Sequence, residues 1–452
     1  MFKKILIANR GEIALRIIRA CKEMEIRTVV VYSEADRDSL PVQLADEAIC
    51  IGKTKTQESY LNISSIIAAA EISDADAIHP GYGFLAENDH FAEICESCGI
   101  KFIGPSADNI RSMGNKISAR KIMKKQGIPV LPGSLTPINS KEEALSFAQK
   151  IGYPVIIKAA AGGGGRGMRI CHSDVRLINA FITAQSEAEV AFGNSEVYIE
   201  KYLETSRHIE IQIAADNKGN IIHLGERDCS IQRRHQKLIE ETPSPAVDAK
   251  LRKKLGEYAL KGAKAIKFSN LGTMEFLLDP QTKKVFFMEM NTRIQVEHPI
   301  TEELTGVDLL KLQIQLSAGE SLPYKQDKVS FSNHVMEFRI NAEDSEKNFR
   351  PSPGKIDFLY LPGGKGVRID THIYSGYTIP PYYDSLLAKL IVRSSTRKGC
   401  LRKAERCFDE FLTEPVKTTI PFYKRVIKDP NFIKGDYNTS FLNRFLEERT
   451  EE

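Results

Sequence analysis

The sequence predicts a multidomain protein of mixed α/β and α+β class: a doubly wound N-terminal domain, a central region with a small glycine-rich lid, and a C-terminal α+β domain. Three observations carry this reading. The chain opens on a strand, turn, helix and strand. A proline-punctuated linker after Gly127 leads into a short segment built around "GGGGRG". From residue 204 onward apolar and polar residues alternate at period 2.

The elements follow in order. In "KILIANRGEIALRIIRACKEMEIRTVVVYS", Ile13, Ala14, Ile17, Ile18 and Cys21 recur at helical spacing between two apolar runs. "TVVVYS" is a continuous β-branched run of the kind that parallel strands buried on both faces show. "ADAIHP" and "IKFIGP" read as further strands closed by proline, so residues 1–114 form a doubly wound, Rossmann-like unit. "SMGNKISARKIMKKQG" reads as one long basic helix ending at Gly127. Residues 131–203 carry short strands, a helix and the glycine loop, which is the size of a separate lid within a central region of residues 115–330. Residues 331–446 continue with strands before a helical finish.

Composition narrows the function classes. With 63 basic and 59 acidic residues, the net charge of +4 lacks the basic excess of a nucleic-acid binder. The first apolar run is too short for a signal peptide, and no stretch reaches the length of a membrane span. Eight irregularly spaced cysteines suit reduced thiols in a cytoplasmic chain. Cys95 and Cys98 fall within a helical pattern, without the second pair a zinc site would want.

Four segments carry candidate chemistry. The glycines Gly162–Gly165 and Gly167 lie between two strand-like runs, just after Lys158. Bare glycine lets backbone N–H groups approach phosphate oxygens, and lysine adds a point charge. The helix that a dinucleotide fingerprint requires does not follow, and the P-loop form G-x-x-x-x-G-K-[ST] is absent from the sequence. In "HIEIQI", His208, Glu210 and Gln212 share one strand face. "GTMEFLLDPQTKKVFFMEMN" reads as a hairpin that sets Glu275 opposite Glu289, with Asn291 on the same face. Paired like charges need neutralising, and two carboxylates with an amide oxygen suit Mg²⁺ or Mn²⁺. Beyond the hairpin, Arg293, Gln295 and Glu297 share one face of an extended segment, and "QRRHQK" concentrates Arg233, Arg234, His235 and Lys237. Glu337, Arg339 and Asn341 alternate on a last strand, where Glu337 is the simplest ion-pair partner for Arg339.

Taken together, "KILIANRGEIALRI", "HPGYGFLAEN", "GGGGRGM", "QRRHQK", "EMNTRIQVEHP", "RINAED" and "YYDSLLAKL" resemble the biotin carboxylase family of the ATP-grasp superfamily, over residues 1–446. The resemblance implies an ATP-grasp central domain with a mobile lid, and carboxylation of biotin by bicarbonate with MgATP. It implies that Lys116, Lys158, Gly164 and Gly165 meet the phosphates of ATP, and that Glu200, Lys201, Tyr202 and Leu203 form the hinge at the adenine edge. His208 and His235 are further implied nucleotide contacts. Glu275, Glu289 and Asn291 match metal positions for Mg²⁺ or Mn²⁺, with two ions expected; Glu275 also counts among the nucleotide contacts. Lys237, Arg293, Gln295 and the backbone of Val296 match a bicarbonate site. Glu297 matches its base, Arg339 the group that stabilises the biotin enolate, and Tyr82 a wall of the biotin pocket.

Another ATP-grasp ligase would share the acyl-phosphate step but not the run from Arg293 to Glu297 together with Arg339. A regulatory protein that binds ATP without turnover would be expected to lack Glu297, Arg339 or a metal carboxylate. No Met-Lys-Met tripeptide marks a biotinylation site. The expected partners are therefore a separate biotin carboxyl carrier protein and carboxyltransferase subunits, with a homodimer near Arg16, Arg19 and the C-terminal part. Membrane and nucleic acid are not expected partners. Acetyl-CoA carboxylase, and hence malonyl-CoA and fatty acid synthesis, is the expected setting; pyruvate or propionyl-CoA carboxylases are alternatives.

Overall fold

The structure, a computed structural model, describes residues 1–160 and 168–447. Strands β1 (Lys4–Ile7), β2 (Arg27–Ser33), β3 (Glu47–Gly52), β4 (Ala77–His79) and β5 (Lys101–Phe102) form a parallel sheet in the order β3-β2-β1-β4-β5. The reversal of strand order about β1 is the doubly wound pattern the sequence predicts. Helices α1 (Gly11–Glu23), α2 (Leu40–Leu44), α3 (Ile63–Ile72) and α4 (Asp89–Ser97) connect the strands. Ile13, Ala14, Ile17, Ile18 and Cys21 of α1 are buried in one cluster with Ile5 and Ile7, as their spacing predicts. Arg16, also buried, is tied to Glu302 and Asp308 within the chain, whereas Arg19 is exposed.

The long basic helix is two helices, α5 (Ala107–Gly114) and α6 (Lys116–Lys125). Asn115 separates them because its backbone is extended and its side chain accepts from Ser118 N, capping α6. This starts a helix at Lys116, whose N–H donates to Ala160 O at the foot of the lid. In the lid, α7 (Lys141–Ile151) and α8 (Asp174–Phe192) pack on a three-stranded sheet ordered β7-β6-β8, where β6 is Val155–Ala159, β7 Arg169–Cys171 and β8 Val197–Lys201. β6 and β7 run antiparallel, so the glycine segment joins two paired strands rather than a strand and a helix.

The largest sheet has eight strands. β9 (Arg207–Ala215), β10 (Ile221–Arg233), β11 (Gln236–Thr242), β12 (Asn270–Leu278), β13 (Val285–Asn291) and β14 (His334–Asn341) contribute six. Three small ribbons follow, pairing β15 (Glu343–Asp344) with β16 (Arg350–Pro351), β17 (Gly354–Lys355) with β20 (Thr378–Ile379), and β18 (Phe358–Tyr360) with β22 (Leu412–Glu414). Between them β19 (Val367–Thr371) and β21 (Leu386–Ser394) complete the large sheet, in the order β13-β12-β9-β10-β11-β14-β21-β19. One sheet thus runs from the central region into the C-terminal part.

The period-2 reading of residues 204–330 needs correction. It passes over α9 (Ala249–Ala265), α10 (His298–Thr305) and α11 (Leu309–Ser317). In α9, Leu255, Ala259 and Ala263 recur every four residues and pack on Ile209, Ile211 and Ile213 of β9. Behind the other half of the sheet, α12 (Arg397–Glu410) and the short helices α13 (Ile420–Val426), α14 (Pro430–Lys434) and α15 (Phe441–Glu447) bury Phe408, Phe422, Tyr423, Phe432 and Phe441 against Met336, Phe338 and Ile340. The odd-numbered residues of β14 face the opposite side, and there the polar residues gather.

Candidate active site

The hairpin register is the one its turn implies: Glu275 lies opposite Glu289 and Thr273 opposite Asn291. β9 pairs with β12 so that Glu210 meets Glu275. Three carboxylates therefore adjoin one another, and cations neutralise them. Lys116 at the start of α6 pairs with Glu289 at 3.1 Å. Lys237 Nζ reaches Glu210 at 2.7 Å, Glu275 at 3.1 Å and Glu297 at 2.6 Å. His208 Nε2 stands 3.0 Å from the second oxygen of Glu275. Asn291 Nδ2 and Gln295 Nε2 also donate to Glu275, at 2.8 and 3.0 Å.

Arg293, Gln295 and Glu297 do not share a strand face. The chain leaves β13 at Asn291, turns, and enters α10 with Glu297 at its N-cap. The turn still converges their side chains. Arg293 Nη1 donates to Gln295 Oε1 at 2.7 Å, and Arg293 Nε to Glu87 at 2.7 Å. Glu297 accepts from Lys237 through Oε1 and from Arg339 Nη2 through Oε2, the latter at 2.9 Å. Arg339 also donates to Glu240 at 2.7 Å through Nε. Its carboxylate partners are therefore Glu240 and Glu297, not Glu337: the neighbouring strand and the α10 N-terminus offer carboxylates nearer to its guanidinium than its own strand does.

Burial alone would push Glu297 up, but Lys237, Arg339 and Arg227 outweigh it and hold the carboxyl well below its ordinary range. Glu275 is likewise held low, burial being offset by Lys237 and His208. Lys237 is held well above its ordinary value, because Glu210, Glu275 and Glu297 outweigh its burial. The site thus contains an ionised carboxylate between two permanent cations. Charge pairs at such separations contribute on the order of 4 kcal/mol at an effective dielectric of about 20, which fixes the ionisation states.

At the lid, Glu200 is buried and ion-paired to both Lys158 of β6 and Arg120 of α6. Arg120 is fully buried and donates to Leu131 O at 2.8 Å, joining the linker to the same network. Lys201 donates to the carbonyls of Gly152 and Tyr153 at 3.1 and 2.6 Å, while Tyr202 and Leu203 are half-buried beyond it. Gly164 and Gly165 lie outside the described residues. His235 sits exposed at the tip of the β10–β11 turn; partial burial and then the charge of Lys158 lower its pKa. Tyr82 lies on the loop after β4, its hydroxyl bonded to Glu12, whose other oxygen pairs with Lys389 at 3.0 Å. Lys389 also donates to Val296 O at 3.0 Å.

Several residues of the site escape a reading of the sequence. Glu210 is not among them, since its alternation with His208 and Gln212 is legible in the sequence. Glu87 stands in "HPGYGFLAEN" and Glu240 just past the basic cluster, but only the tertiary fold brings them to Arg293 and Arg339. Arg227, fully buried and bonded to Glu210 at 2.5 Å and Gln212 at 2.8 Å, gave no signal apart from its strand.

The hairpin carboxylates, the basic groups around them and the lid built on the β7-β6-β8 sheet define an ATP-grasp ligase. A model of the carbamoyl-phosphate synthase L chain ATP binding domain matches residues 115–325, and models of the biotin carboxylase N-terminal and C-terminal domains match residues 1–110 and 337–444. Biotin carboxylase 1 of Bacillus subtilis is 55% identical over 98% of this chain and 99% of its own length. A pyruvate carboxylase component of Methanothermobacter thermautotrophicus is 52% identical over 98% of this chain and 90% of its own. Among solved structures, the Campylobacter jejuni biotin carboxylase complexed with a β,γ-ATP compound superposes with a TM-score of 0.96 at 50% identity, covering 98% of this chain and 99% of that one. The biotin carboxylase domain dimer of Hydrogenobacter thermophilus 2-oxoglutarate carboxylase, in complex with MgADP, ADP and bicarbonate, gives 0.96 at 47%, covering 99% and 98%. The chain belongs to the biotin carboxylase family. It is an ATP-dependent ligase that carboxylates biotin. Among the described residues no helix is long and apolar enough to cross a membrane.

Proposed function

We propose that this chain binds MgATP under its lid, joins bicarbonate to the γ-phosphate, and passes the carboxyl group to biotin carried on a separate carrier protein. The observation that carries the proposal is the seat of Glu297 between Lys237 and Arg339. Glu297, ionised, takes the bicarbonate proton. The freed oxygen attacks the γ-phosphorus, ADP leaves, and carboxyphosphate forms. Lys237, Arg293, Gln295 and the backbone of Val296 hold bicarbonate, so that two anions meet among fixed cations. Carboxyphosphate breaks down to CO₂ and phosphate, and phosphate removes the N1′ proton of biotin. Arg339 then offsets charge on the ureido oxygen, as an oxyanion donor does, with Tyr82 beside the ring.

Lys116, Lys158, Gly164 and Gly165 are assigned to the phosphates, and Glu200 to Leu203, His208 and His235 to the rest of the nucleotide. Glu275, Glu289 and Asn291 offer oxygen donors only, which fits Mg²⁺ or Mn²⁺. Held by these residues, one or two such ions would supply positive charge against the phosphates. A second trio, His208, Glu210 and Glu275, also brings ligand atoms within 4.8 Å of one another. Lys237 already bonds both of its carboxylates, so a cation occupies that position.

The partners assigned are a biotin carboxyl carrier protein and carboxyltransferase subunits, with a homodimer of this chain in the cytoplasm. Acetyl-CoA carboxylase, supplying fatty acid synthesis, is the parent enzyme favoured, supported by the likeness to Biotin carboxylase 1 of Bacillus subtilis. Service to a 2-oxo acid carboxylase is the second reading, favoured by the Methanothermobacter pyruvate carboxylase component with its nearly equal identity. The test is ADP release with MgATP, adding bicarbonate and free biotin separately and together. A rise only with both supports the proposal; turnover indifferent to biotin overturns it.

A further inference from the structure

Glu337 on β14 lies directly opposite Glu240 on β11, and both side chains are fully buried. Like charges opposite one another across strands destabilise a sheet, and a buried carboxylate without a partner is costlier still. Glu240 satisfies one oxygen, which takes both Nε and Nη2 of Arg339 at 2.7 and 2.5 Å. Among the described residues, its Oε2 and both oxygens of Glu337 have no hydrogen-bond partner.

The neighbouring cations are engaged elsewhere. Arg339 is divided between Glu240 and Glu297. Lys389, on the flanking strand β21, is held by Glu12 and Val296 O. Lys237 serves Glu210, Glu275 and Glu297. From above, α10 presents Glu297 at its start and then His298, whose Nδ1 is taken up by Gln295 O at 2.8 Å and which burial keeps neutral.

We infer that Glu337 is an un-ionised carboxylic acid in the working enzyme, its proton directed at the free oxygen of Glu240, and that it is a positioning residue for Arg339. This deepens, and rests on, the reading of Arg339 as the group facing biotin. Burial, with Glu240 alongside, pushes Glu337 well above the usual carboxylate range, and burial pushes Glu240 up to about 7. An un-ionised Glu337 adds a donor but no charge. Arg339 is then offset by two carboxylates rather than three and keeps positive potential for a developing oxyanion.

Two measurements on the full chain test this. In infrared difference spectra, the wild type shows the carbonyl stretch of an un-ionised carboxylic acid at neutral pH, and Glu337→Gln removes it. That readout is independent of what Arg339 binds. In kinetics, Glu337→Gln, which keeps a donor without charge, retains biotin-dependent ADP release. Glu337→Leu loses about 10- to 100-fold in kcat/KM for biotin with KM for ATP unchanged. Absence of the band, or its persistence in Glu337→Gln, overturns the protonation. Equal losses in the Gln and Leu variants overturn the positioning role. Arg339→Ala with full biotin-dependent turnover overturns the reading of Arg339 and that role with it, while the band still decides the proton.

Discussion

Glu297 is bonded through one carboxylate oxygen to Lys237 and through the other to Arg339. The two contacts come from different strands, β11 and β14, and meet at the first turn of α10. The base and the oxyanion-stabilising group proposed at these two positions, so connected, cannot be substituted independently, and their double mutant should show strong non-additivity.

Arg339→Ala should lower kcat/KM for biotin by about 10²- to 10³-fold, the range for removal of an oxyanion donor. Affinity for ATP should change little, because no predicted nucleotide contact touches Arg339. Steady-state ADP release with biotin varied at saturating ATP checks both.

Glu297→Gln should lower bicarbonate-dependent turnover by about 10²- to 10⁴-fold, the usual contribution of a general base. Because the Glu297 carboxyl is held well below its ordinary range, acidification from pH 8 to pH 5 should not protonate it. Any acid limb there must persist in variants that alter Glu297's surroundings without removing it, and a pH–rate profile tests this.

Folding stability should fall on mild acidification. His79 and His372 are buried, and burial lowers each to about 3. In the unfolded chain they take up protons near their ordinary value of about 6.5. The unfolded state therefore binds more protons as pH falls below about 6.5, and the stability tied to the two neutral rings is lost progressively down to about 3. Denaturant melts of His79→Gln across pH 5 to 7.5 should show a shallower pH slope than wild type.

Gly133→Ala should disturb the lid hinge. A Cβ there would lie 2.6 Å from Arg120 Nη2, 2.7 Å from Glu200 Cβ and 2.9 Å from Ile199 O. The cost is of the overpacking kind, about 1–3 kcal/mol, and it should appear as a lowered melting temperature together with weaker ATP binding by calorimetry.

Legibility varied with the range of the interactions. The hairpin pair Glu275 and Glu289 could be read from a turn and a period of two, both local properties. The break at Asn115 was missed because a single capping residue leaves helical periodicity intact on either side. α9 was missed where charged residues obscured its Leu255, Ala259 and Ala263 spacing. Glu87 and Glu240 reach the site only through pairings hundreds or tens of residues long, which no local pattern encodes. The candidate roles of the glycine loop came from resemblance and composition, since bare backbone carries no side-chain pattern of its own.

The eight-stranded sheet that runs from the central region into the C-terminal part dictates where the polypeptide can be divided. A fragment ending near residue 330 would strip β14, β21 and β19 from β11, leaving a bare row of N–H and C=O groups along that strand, an invitation to aggregate. Excision of the lid, by contrast, severs no rung of that ladder, because its three strands form a sheet of their own. Split-protein reconstitution should therefore succeed with breakpoints in the lid and fail between β11 and β14.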